Sequence, residues 1–212
     1  MAEALDIDGK TRGWRGSREV WLAAAREAFL DSGIEAVKIQ PLASRLGLSR
    51  TSFYWFFADR DAVLQALLDD WDETNTKRLV QASEAFAETI TEAALNVIGV
   101  FLPGGGFEPK LDLAIRGWAH QSDAVAATVN AADDLRLSAI RAMFERFGYP
   151  ADEGDVRART MYLVQIGYIS MQVQEDRSLR LTRIPSYVKT FTGQSASVRE
   201  LDRFHARVVG AA

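Results

Sequence analysis

Residues 39–64 read IQPLASRLGLSRTSFYWFFADRDAVL. Four apolar residues recur at the i, i+3, i+4 and i+7 spacing of one helix face: Ile39, Leu42, Ala43 and Leu46. Gly47 is a natural stop for that helix, and Ser49 is a natural cap for the start of the next. Two short helices joined by a tight turn have the dimensions of a helix-turn-helix, whose second helix lies in the major groove of DNA.

The second helix of this pair has two chemically different sides. Phe53 and Phe57 share one side, where we expect them to pack against the preceding helices. The other side carries Arg50, Thr51, Tyr54 and Trp55. Hydroxyl groups and arginine suit phosphate oxygens, and an indole edge can pack against a thymine methyl group. This face predicts DNA contact. The alternative is that Tyr54 and Trp55 complete the core beneath the following helix.

Helical periodicity continues on both sides of this segment. Ser17 caps a first helix that ends at Gly33, and Asp59 caps a fourth that runs to about Ala82. Further helices are predicted at about 84–102, 110–120, 122–147, 154–175, 186–192 and 196–208. The sequence therefore predicts an all-α protein. A three-helix helix-turn-helix domain occupies residues 1–60, and a helical bundle for ligand binding and dimerisation occupies residues 61–212.

Composition excludes several classes of site. The 212 residues contain no cysteine and two histidines, so thiolate metal sites and disulfides are excluded, and a histidine-rich metal centre is disfavoured. The first ten residues carry three acidic side chains where a signal peptide needs positive charge, and no apolar run approaches the roughly 18 residues of a membrane span. We expect a cytoplasmic protein without a cofactor or a metal.

The net charge of −4 is unevenly distributed along the chain. Residues 10–60 hold nine Lys or Arg against five Asp or Glu, whereas residues 61–212 hold sixteen against twenty-one. A locally basic segment is the electrostatic signature of a nucleic-acid-binding domain. Arg15 and Arg18 belong to an N-terminal arm that we expect to reach phosphates or a minor groove; the alternative is a disordered basic tail.

Several short motifs together resemble one known family. They are AAREAF at 24–29, LGLS at 46–49, FYWFF at 53–57 and DRD at 59–61. Arg18 to Leu64 resembles the N-terminal DNA-binding domain of the tetracycline-repressor (TetR) family. The resemblance implies a homodimeric transcriptional regulator, usually a repressor, that a small-molecule effector releases from a palindromic double-stranded operator.

The resemblance also implies roles for individual residues. Tyr54 would hold a phosphate, and Arg60 takes the place of the family's usual lysine. Lys38 stands where the family usually has a capping threonine or serine, so that cap is lost and Lys38 is expected at the DNA backbone instead. The predicted DNA-binding residues are Arg15, Arg18, Lys38, Gln40, Arg50, Thr51, Ser52, Tyr54, Trp55 and Arg60.

The predicted helix at 154–175 is apolar on more than one side, and a surface helix needs only one apolar stripe. A two-fold partner is the simplest cover for the second stripe, because helix-turn-helix dimers read paired half-sites. The predicted dimer interface combines this helix with the C-terminal one, through Val164, Tyr168, Met171, Leu201 and Phe204. The alternative is a central helix buried inside a monomer.

A small-molecule effector requires a cavity with apolar walls and a few polar groups. Seven residues of the predicted bundle are candidates for its lining: Trp71, Phe86, Phe101, Trp118, His120, Tyr162 and Gln165. The alternative for each of them is an ordinary place in the core.

Two other functional classes compete with a DNA-binding regulator. An all-α enzyme would need carboxylates that converge, but the acidic pairs Asp133-Asp134 and Asp152-Glu153 are adjacent in sequence, so we predict no enzyme. A helical dimerisation or adaptor protein with weakened DNA binding gains support from Gln40 and Phe56, which occupy positions often held in the family by arginine and by tyrosine or histidine. That interpretation leaves Tyr54 and Trp55 without a role.

Overall fold

The computed structural model of the chain describes residues 16–210, which contain α-helices and no β-strand. In chain order the helices are α1 (Arg18–Ser32), α2 (Ile39–Leu46), α3 (Arg50–Phe53), α4 (Arg60–Trp71), α5 (Lys77–Glu84), α6 (Ile90–Val100), α7 (Pro109–Ala119), α8 (Asp123–Arg146), α9 (Ala151–Ser170), α10 (Arg177–Thr192) and α11 (Val198–Gly210). The predicted all-α class is confirmed. The chain forms two compact units that divide between Leu67 and Leu68.

The N-terminal unit is built around buried aromatic side chains. Trp21 of α1 and Phe53 of α3 are both fully buried, and their rings meet edge to face at 5.4 Å. Phe57 stacks on Phe53 at a centroid distance of 5.5 Å. Edge-to-face and stacked pairs of this kind add to the burial of apolar surface. They fix α3 against α1, as the placement of Phe53 and Phe57 on one side predicted.

The turn between α2 and α3 has the predicted chemistry. Gly47 ends α2 with φ of 63°, a left-handed conformation that glycine adopts without steric cost. The amide of Leu48 donates to the carbonyl of Ala43 at 2.9 Å, which closes the helix end. Ser49 then caps α3, because its hydroxyl accepts a hydrogen bond from the amide of Ser52 at 3.2 Å.

The fourth predicted helix is interrupted. Asp59 caps α4 by accepting from the amide of Ala62 at 2.8 Å, as predicted. The continuous helix expected to about Ala82 instead contains a π-helical turn at Asp72–Thr76 before α5 resumes at Lys77. Side-chain hydrogen bonds to Asn75 and Thr76, described below, stabilise this turn.

The core of the C-terminal unit surrounds α6. Most residues of α6 are buried, and α5, α8, α10 and α11 all pack against it. Phe144, Met161 and Phe191 are among the buried side chains that complete this core. The centrally buried helix is thus α6 rather than the helix predicted at 154–175.

Several helix boundaries differ from the prediction, among them the end of α3, which stops at Phe53 and does not reach Phe57. Helix α6 begins at Ile90 rather than at residue 84, because Thr89 caps it: the Thr89 hydroxyl accepts from the Glu92 amide, and the Glu92 carboxylate accepts from the Glu88 amide just before the cap. Helix α9 ends at Ser170 rather than at 175. Helix α10 begins at Arg177 rather than at 186 and continues through Pro185, whereas the predicted helix began after that proline.

Glu200 attaches α11 to the start of α6. Its carboxylate accepts hydrogen bonds from the hydroxyls of Thr89 and Thr91 and from the amide of Ser197. The Ser197 hydroxyl in turn accepts from the Glu200 amide, which completes a capping box. Burial alone would raise the pKa of Glu200, but the hydrogen bonds from Thr89, Ser197 and Thr91 outweigh it and lower the pKa to about 2.

We expect Glu200→Gln to lower the free energy of unfolding at pH 7 by about 2 kcal/mol, since hydrogen bonds to a charged acceptor are lost. The pKa of Glu200 is lower in the folded protein than its ordinary value of 4.5, so its stabilisation is complete above pH 4.5 and is lost as the pH falls towards 2. Urea denaturation of both proteins across this range measures the difference. Glu145→Gln, at a half-exposed glutamate of α8, is the control. A difference that persists unchanged at pH 2 would contradict this assignment.

Among the described residues, no helix is both long and apolar enough to cross a membrane.

Candidate nucleic-acid interface

Two large aromatic side chains are exposed to solvent in the turn that directly follows α3. Tyr54 is 50% exposed and Trp55 is 63% exposed, and Arg50 and Thr51 on the same side are also exposed. Phe53 beneath them is fully buried. The alternative in which Tyr54 and Trp55 complete the core is therefore wrong, and this exposed face, formed by Arg50, Thr51, Tyr54 and Trp55, is called the α3 face below.

Two cationic side chains of the N-terminal unit have no carboxylate partner among the described residues. Neither Arg50 nor Lys38 forms an ion pair with a described residue, and both side chains are exposed. Lys38 takes the cap position of α2 without donating or accepting a side-chain cap bond, as expected from the loss of threonine or serine there. Gln40 is exposed in the first turn of α2, with its amide 3.5 Å from the Ser44 hydroxyl.

Other predicted DNA-binding residues have structural contacts instead. Ser52 is buried, with its hydroxyl 3.0 Å from that of Ser49, so its placement on the DNA-facing side is wrong. Arg60 donates from Nε to the Val37 carbonyl and from Nη2 to the Ile34 carbonyl, each at 2.7 Å. These bonds hold the 3-10 turn between α1 and α2, so Arg60 is a positioning residue.

The predicted N-terminal arm lies partly outside the described residues, and Arg15 is among those outside. Arg18, the first residue of α1, is exposed, and its guanidinium lies 5.1 Å from the centroid of the Phe57 ring. This cation–π contact keeps Arg18 on the surface of the N-terminal unit.

Comparison with known proteins supports this interpretation of the N-terminal unit. Residues 22–67 match the family described as bacterial regulatory proteins, tetR family. The N-terminal domain belongs to the tetR family. The match includes α2, the turn and α3 in full, and it ends within α4 at the residue where the two compact units divide.

A curated relative matches part of the length of the chain. The HTH-type transcriptional regulator TtgR of Pseudomonas putida is 34% identical over 64 residues, which cover 30% of this chain and 30% of that protein. The chain therefore matches less than a third of the length of this relative.

Two solved structures resemble the chain over most of its length. Mycobacterium smegmatis AmtR superposes with a TM-score of 0.62 at 19% identity, covering 94% of this chain and 97% of that one. Salmonella enterica GusR gives a TM-score of 0.56 at 15% identity, covering 92% and 94%. At such identities the likeness concerns the fold.

The C-terminal unit contains a largely buried cluster of four charges. Arg136 and Asp112 are both fully buried, and Arg136 Nη1 lies 3.2 Å from Asp112 Oδ1. Arg116 bridges two carboxylates: Nε donates to Asp112 at 2.7 Å, and Nη1 and Nη2 donate to Asp133 at 2.9 and 2.7 Å. Two positive and two negative charges balance, which is the condition under which charges are buried at acceptable cost.

Neutral groups complete this charge cluster. Trp71 Nε1 donates to Asp112 at 2.8 Å, and the Tyr162 hydroxyl donates to Asp133 at 2.5 Å. Arg136 donates twice to the Thr76 hydroxyl, at 3.1 and 2.9 Å, and lies 4.7 Å from the centroid of the Trp71 ring. Burial raises the pKa of Tyr162, and the carboxylate of Asp133 raises it further.

The π-helical turn supplies part of the cluster. Asn75 and Thr76 are fully buried, and Asn75 accepts from the amide of Glu108 at 2.8 Å while its Nδ2 lies 3.4 Å from Asp112 Oδ1. The turn thus places Thr76 within hydrogen-bonding distance of Arg136, and Asn75 within hydrogen-bonding distance of Glu108 at the start of α7. We infer that these bonds stabilise the π conformation, which is otherwise rare.

The predicted effector residues do not surround one cavity. Trp71 and Tyr162 belong to the buried charge cluster, whose groups already have partners. Phe86 is 87% exposed beside a cleft near α11, and His120 is exposed beside a second cleft between α7 and α8. Trp118 is half-buried on α7. Phe101 and Gln165 alone of the seven line the same described cleft.

The predicted dimer-interface residues also differ in exposure: some are buried within the chain and others are exposed. Phe204 is 2% exposed and Leu201 is half-buried, because the apolar side of α11 packs against α6 within the same chain. An interface role for Phe204 is therefore wrong. Val164 and Tyr168 are half-buried, and Met171 is exposed just beyond the end of α9. The exposed apolar stripe on α9 runs through Val156 and Leu163 instead.

No group of three or more His, Cys, Asp or Glu side chains in residues 16–210 is arranged to hold a metal ion.

Of the residues that line the largest of these clefts, the sequence predicted a functional role only for Phe101, Gln165 and Tyr168. Its walls also include Leu113, Ile169, Val173 and Arg180. These residues come from three helices and the segment between two of them, and no motif connects them. The pattern that pointed there was the apolar character of the predicted helix 154–175 on more than one side.

Proposed function

We propose that the chain is a homodimeric DNA-binding transcriptional regulator, a repressor that a small molecule releases from its operator. The observation that carries the proposal is the α3 face, on which Tyr54 and Trp55 remain exposed although the aromatic core lies directly beneath them. Exposed aromatic groups flanked by polar side chains mark a surface with a partner. A protein that reads chromosomal DNA acts in the cytoplasm, which is the location we propose.

Each side chain of the α3 face has a contact that suits DNA. The Tyr54 and Thr51 hydroxyls donate to phosphate oxygens, and Arg50 pairs with a phosphate or with guanine. Trp55 offers its ring to a thymine methyl group. Lys38 and Arg18 add positive charge at the backbone, where binding is independent of sequence.

Dimerisation would give the regulator two such faces, and two-fold pairing matches a palindromic operator. The support is the exposed apolar stripe of α9: Val156 is 63% exposed and Leu163 is 56% exposed. Two large apolar side chains exposed on the same face of one helix favour a partner surface.

Leu163→Glu is expected to convert the dimer to a monomer at micromolar concentration, because two carboxylates would meet in an apolar interface across the two-fold axis. Sedimentation velocity measures the change. Val198→Glu, at a 74% exposed residue of α11, is the matched control and should remain dimeric. Monomeric wild-type protein, or a dimeric Leu163→Glu variant, would contradict this interface.

A salt titration tests DNA binding itself. We expect the affinity for a random-sequence duplex, measured by fluorescence anisotropy, to fall steeply with salt, with a log–log slope of about −0.9 per phosphate neutralised. Arg50→Gln should make this slope shallower by about one such unit. Arg199→Gln, at an exposed arginine of α11, should leave it unchanged. An adaptor without DNA binding would show no measurable slope.

A further inference from the structure

A cleft of about 610 Å³ opens in the C-terminal unit. Its walls come from the loop after α6, the start of α7, the end of α9, the segment that follows it and α10. Much of the lining is apolar, including Phe101, Leu113, Ile169 and Val173. The volume lies within the range of sites that take a drug-sized organic molecule.

Arg180 brings a positive charge to this cleft without a carboxylate partner. Its guanidinium lies 4.8 Å from the centroid of the Tyr168 ring, and Nη2 donates to Gln165 Oε1 at 3.1 Å. It forms an ion pair with none of the described carboxylates, whereas Arg183, one turn further along α10, pairs with Glu175 at 2.5 Å. Gln165 is only 5% exposed, so a buried amide and a ring position the Arg180 charge.

The segment between α9 and α10 is shaped at a conformational cost. Gln172 has φ of 49°, in the left-handed region of backbone conformation that residues other than glycine, asparagine and aspartate rarely adopt. The amides of Gln172 and Val173 donate to the carbonyls of Ile169 and Tyr168, each at 3.0 Å, which holds the turn. The turn places Val173 and Gln172 in the cleft wall.

We propose that this cleft binds an amphipathic organic anion, with its acidic group on Arg180 and its apolar body against Phe101, Ile169 and Val173. The inference rests on the proposed function, because it makes this cleft the effector site of the regulator. Lys110 and Glu108 also line the cleft, and because their charges are opposite they add no net charge to it. Arg180 is then the charge that selects the ligand, and a single acidic group on the ligand balances it.

Two fluorescent probes test the ligand class directly on the full chain. The anion is 8-anilinonaphthalene-1-sulfonate, and the neutral probe N-phenyl-1-naphthylamine has the same aromatic body without the sulfonate. We expect saturable binding of one sulfonate probe per chain and at least tenfold weaker binding of the neutral probe. Arg180→Gln should weaken sulfonate binding at least tenfold and leave the neutral probe unaffected, and Arg199→Gln should change neither.

Val173→Asp provides a second variant if Arg180→Gln does not fold. Val173 is 42% exposed, so the fold should accept the change, and a carboxylate in the wall should repel the sulfonate. Sulfonate binding that is unaltered in both variants, or equal binding of the two probes, would overturn the proposal. If the sulfonate binds as expected but leaves DNA affinity unchanged, the anion site stands and the effector role fails. If DNA binds and the sulfonate does not, the cleft assignment alone fails.

Discussion

Arg136→Ala is expected to lower the free energy of unfolding by about 3–5 kcal/mol, the cost of removing one partner from a buried ion network. The change leaves the buried carboxylate of Asp112 and the partly exposed carboxylate of Asp133 with Arg116 as their one remaining cation in the cluster. It also removes both hydrogen bonds to Thr76. A loss of this size is a large part of the roughly 5–15 kcal/mol that typically stabilises a domain.

Urea denaturation at pH 7 measures this effect, and the same helix supplies its control. Arg141 lies on α8 as Arg136 does, but it is half-exposed and its ion pairs to Glu145 and Asp155 are long, at 3.8 and 3.9 Å. Arg141→Ala should cost less than about 1 kcal/mol, as exposed ion pairs usually do. Equal losses in the two variants would show that the buried cluster contributes no more than a surface pair.

Trp55→Ala is expected to weaken operator binding about 30-fold, because a large aromatic side chain at the centre of an interface contributes about 2 kcal/mol. Tyr54→Phe, which removes one hydroxyl to a phosphate, should weaken binding by a smaller factor of about 5 to 10. Neither substitution should change the free energy of unfolding by more than about 0.5 kcal/mol, since both side chains are at least half exposed.

Phe86→Ala is the matched control for the loss of an exposed aromatic side chain. Phe86 is the most exposed aromatic residue described for the C-terminal unit, and its loss should leave DNA affinity unchanged. Operator binding that is insensitive to Trp55→Ala would place the DNA contacts elsewhere on the N-terminal unit.

The N-terminal unit was predictable because its signals are local. Ser17, Ser49 and Asp59 each cap the helix that follows them, and Gly47 ends α2 in the expected left-handed conformation. The spacing of Phe53 and Phe57 indicated which side of α3 faces inward. Ser52 was misplaced because a four-residue helix has too little repeating pattern to show which side a small polar residue takes.

The C-terminal unit was less predictable because its decisive contacts join distant residues. Arg136 stands in phase with Val129, Ala132 and Ile140 on the buried side of α8, and an arginine at a core position is a signal that sequence reasoning could have used. Its partner Asp112 lies in phase with Ile115 on α7 in the same way. The π-helical turn depends on these partners, so periodicity along one helix could not reveal it.

The dimer residues are predicted from apolar stripes, and a stripe does not show which neighbouring helix covers it. The apolar side of α11 meets α6 inside the chain, which removed Phe204 from the surface. Leu163, one position before the predicted Val164, is more exposed than Val164 itself. An error of about 100° around a helix is enough to exchange a core residue for an interface residue.

Selection of bound duplexes from a random-sequence library, with wild-type protein and Trp55→Ala in parallel, tests the central claim that the α3 face reads DNA. The account predicts that the wild type enriches a palindrome whose half-sites are about one helical turn, or a multiple of it, apart. The Trp55→Ala library should show that palindrome weakly or not at all. Enrichment of no sequence by the wild type, or of the same palindrome to the same degree by the variant, would contradict it.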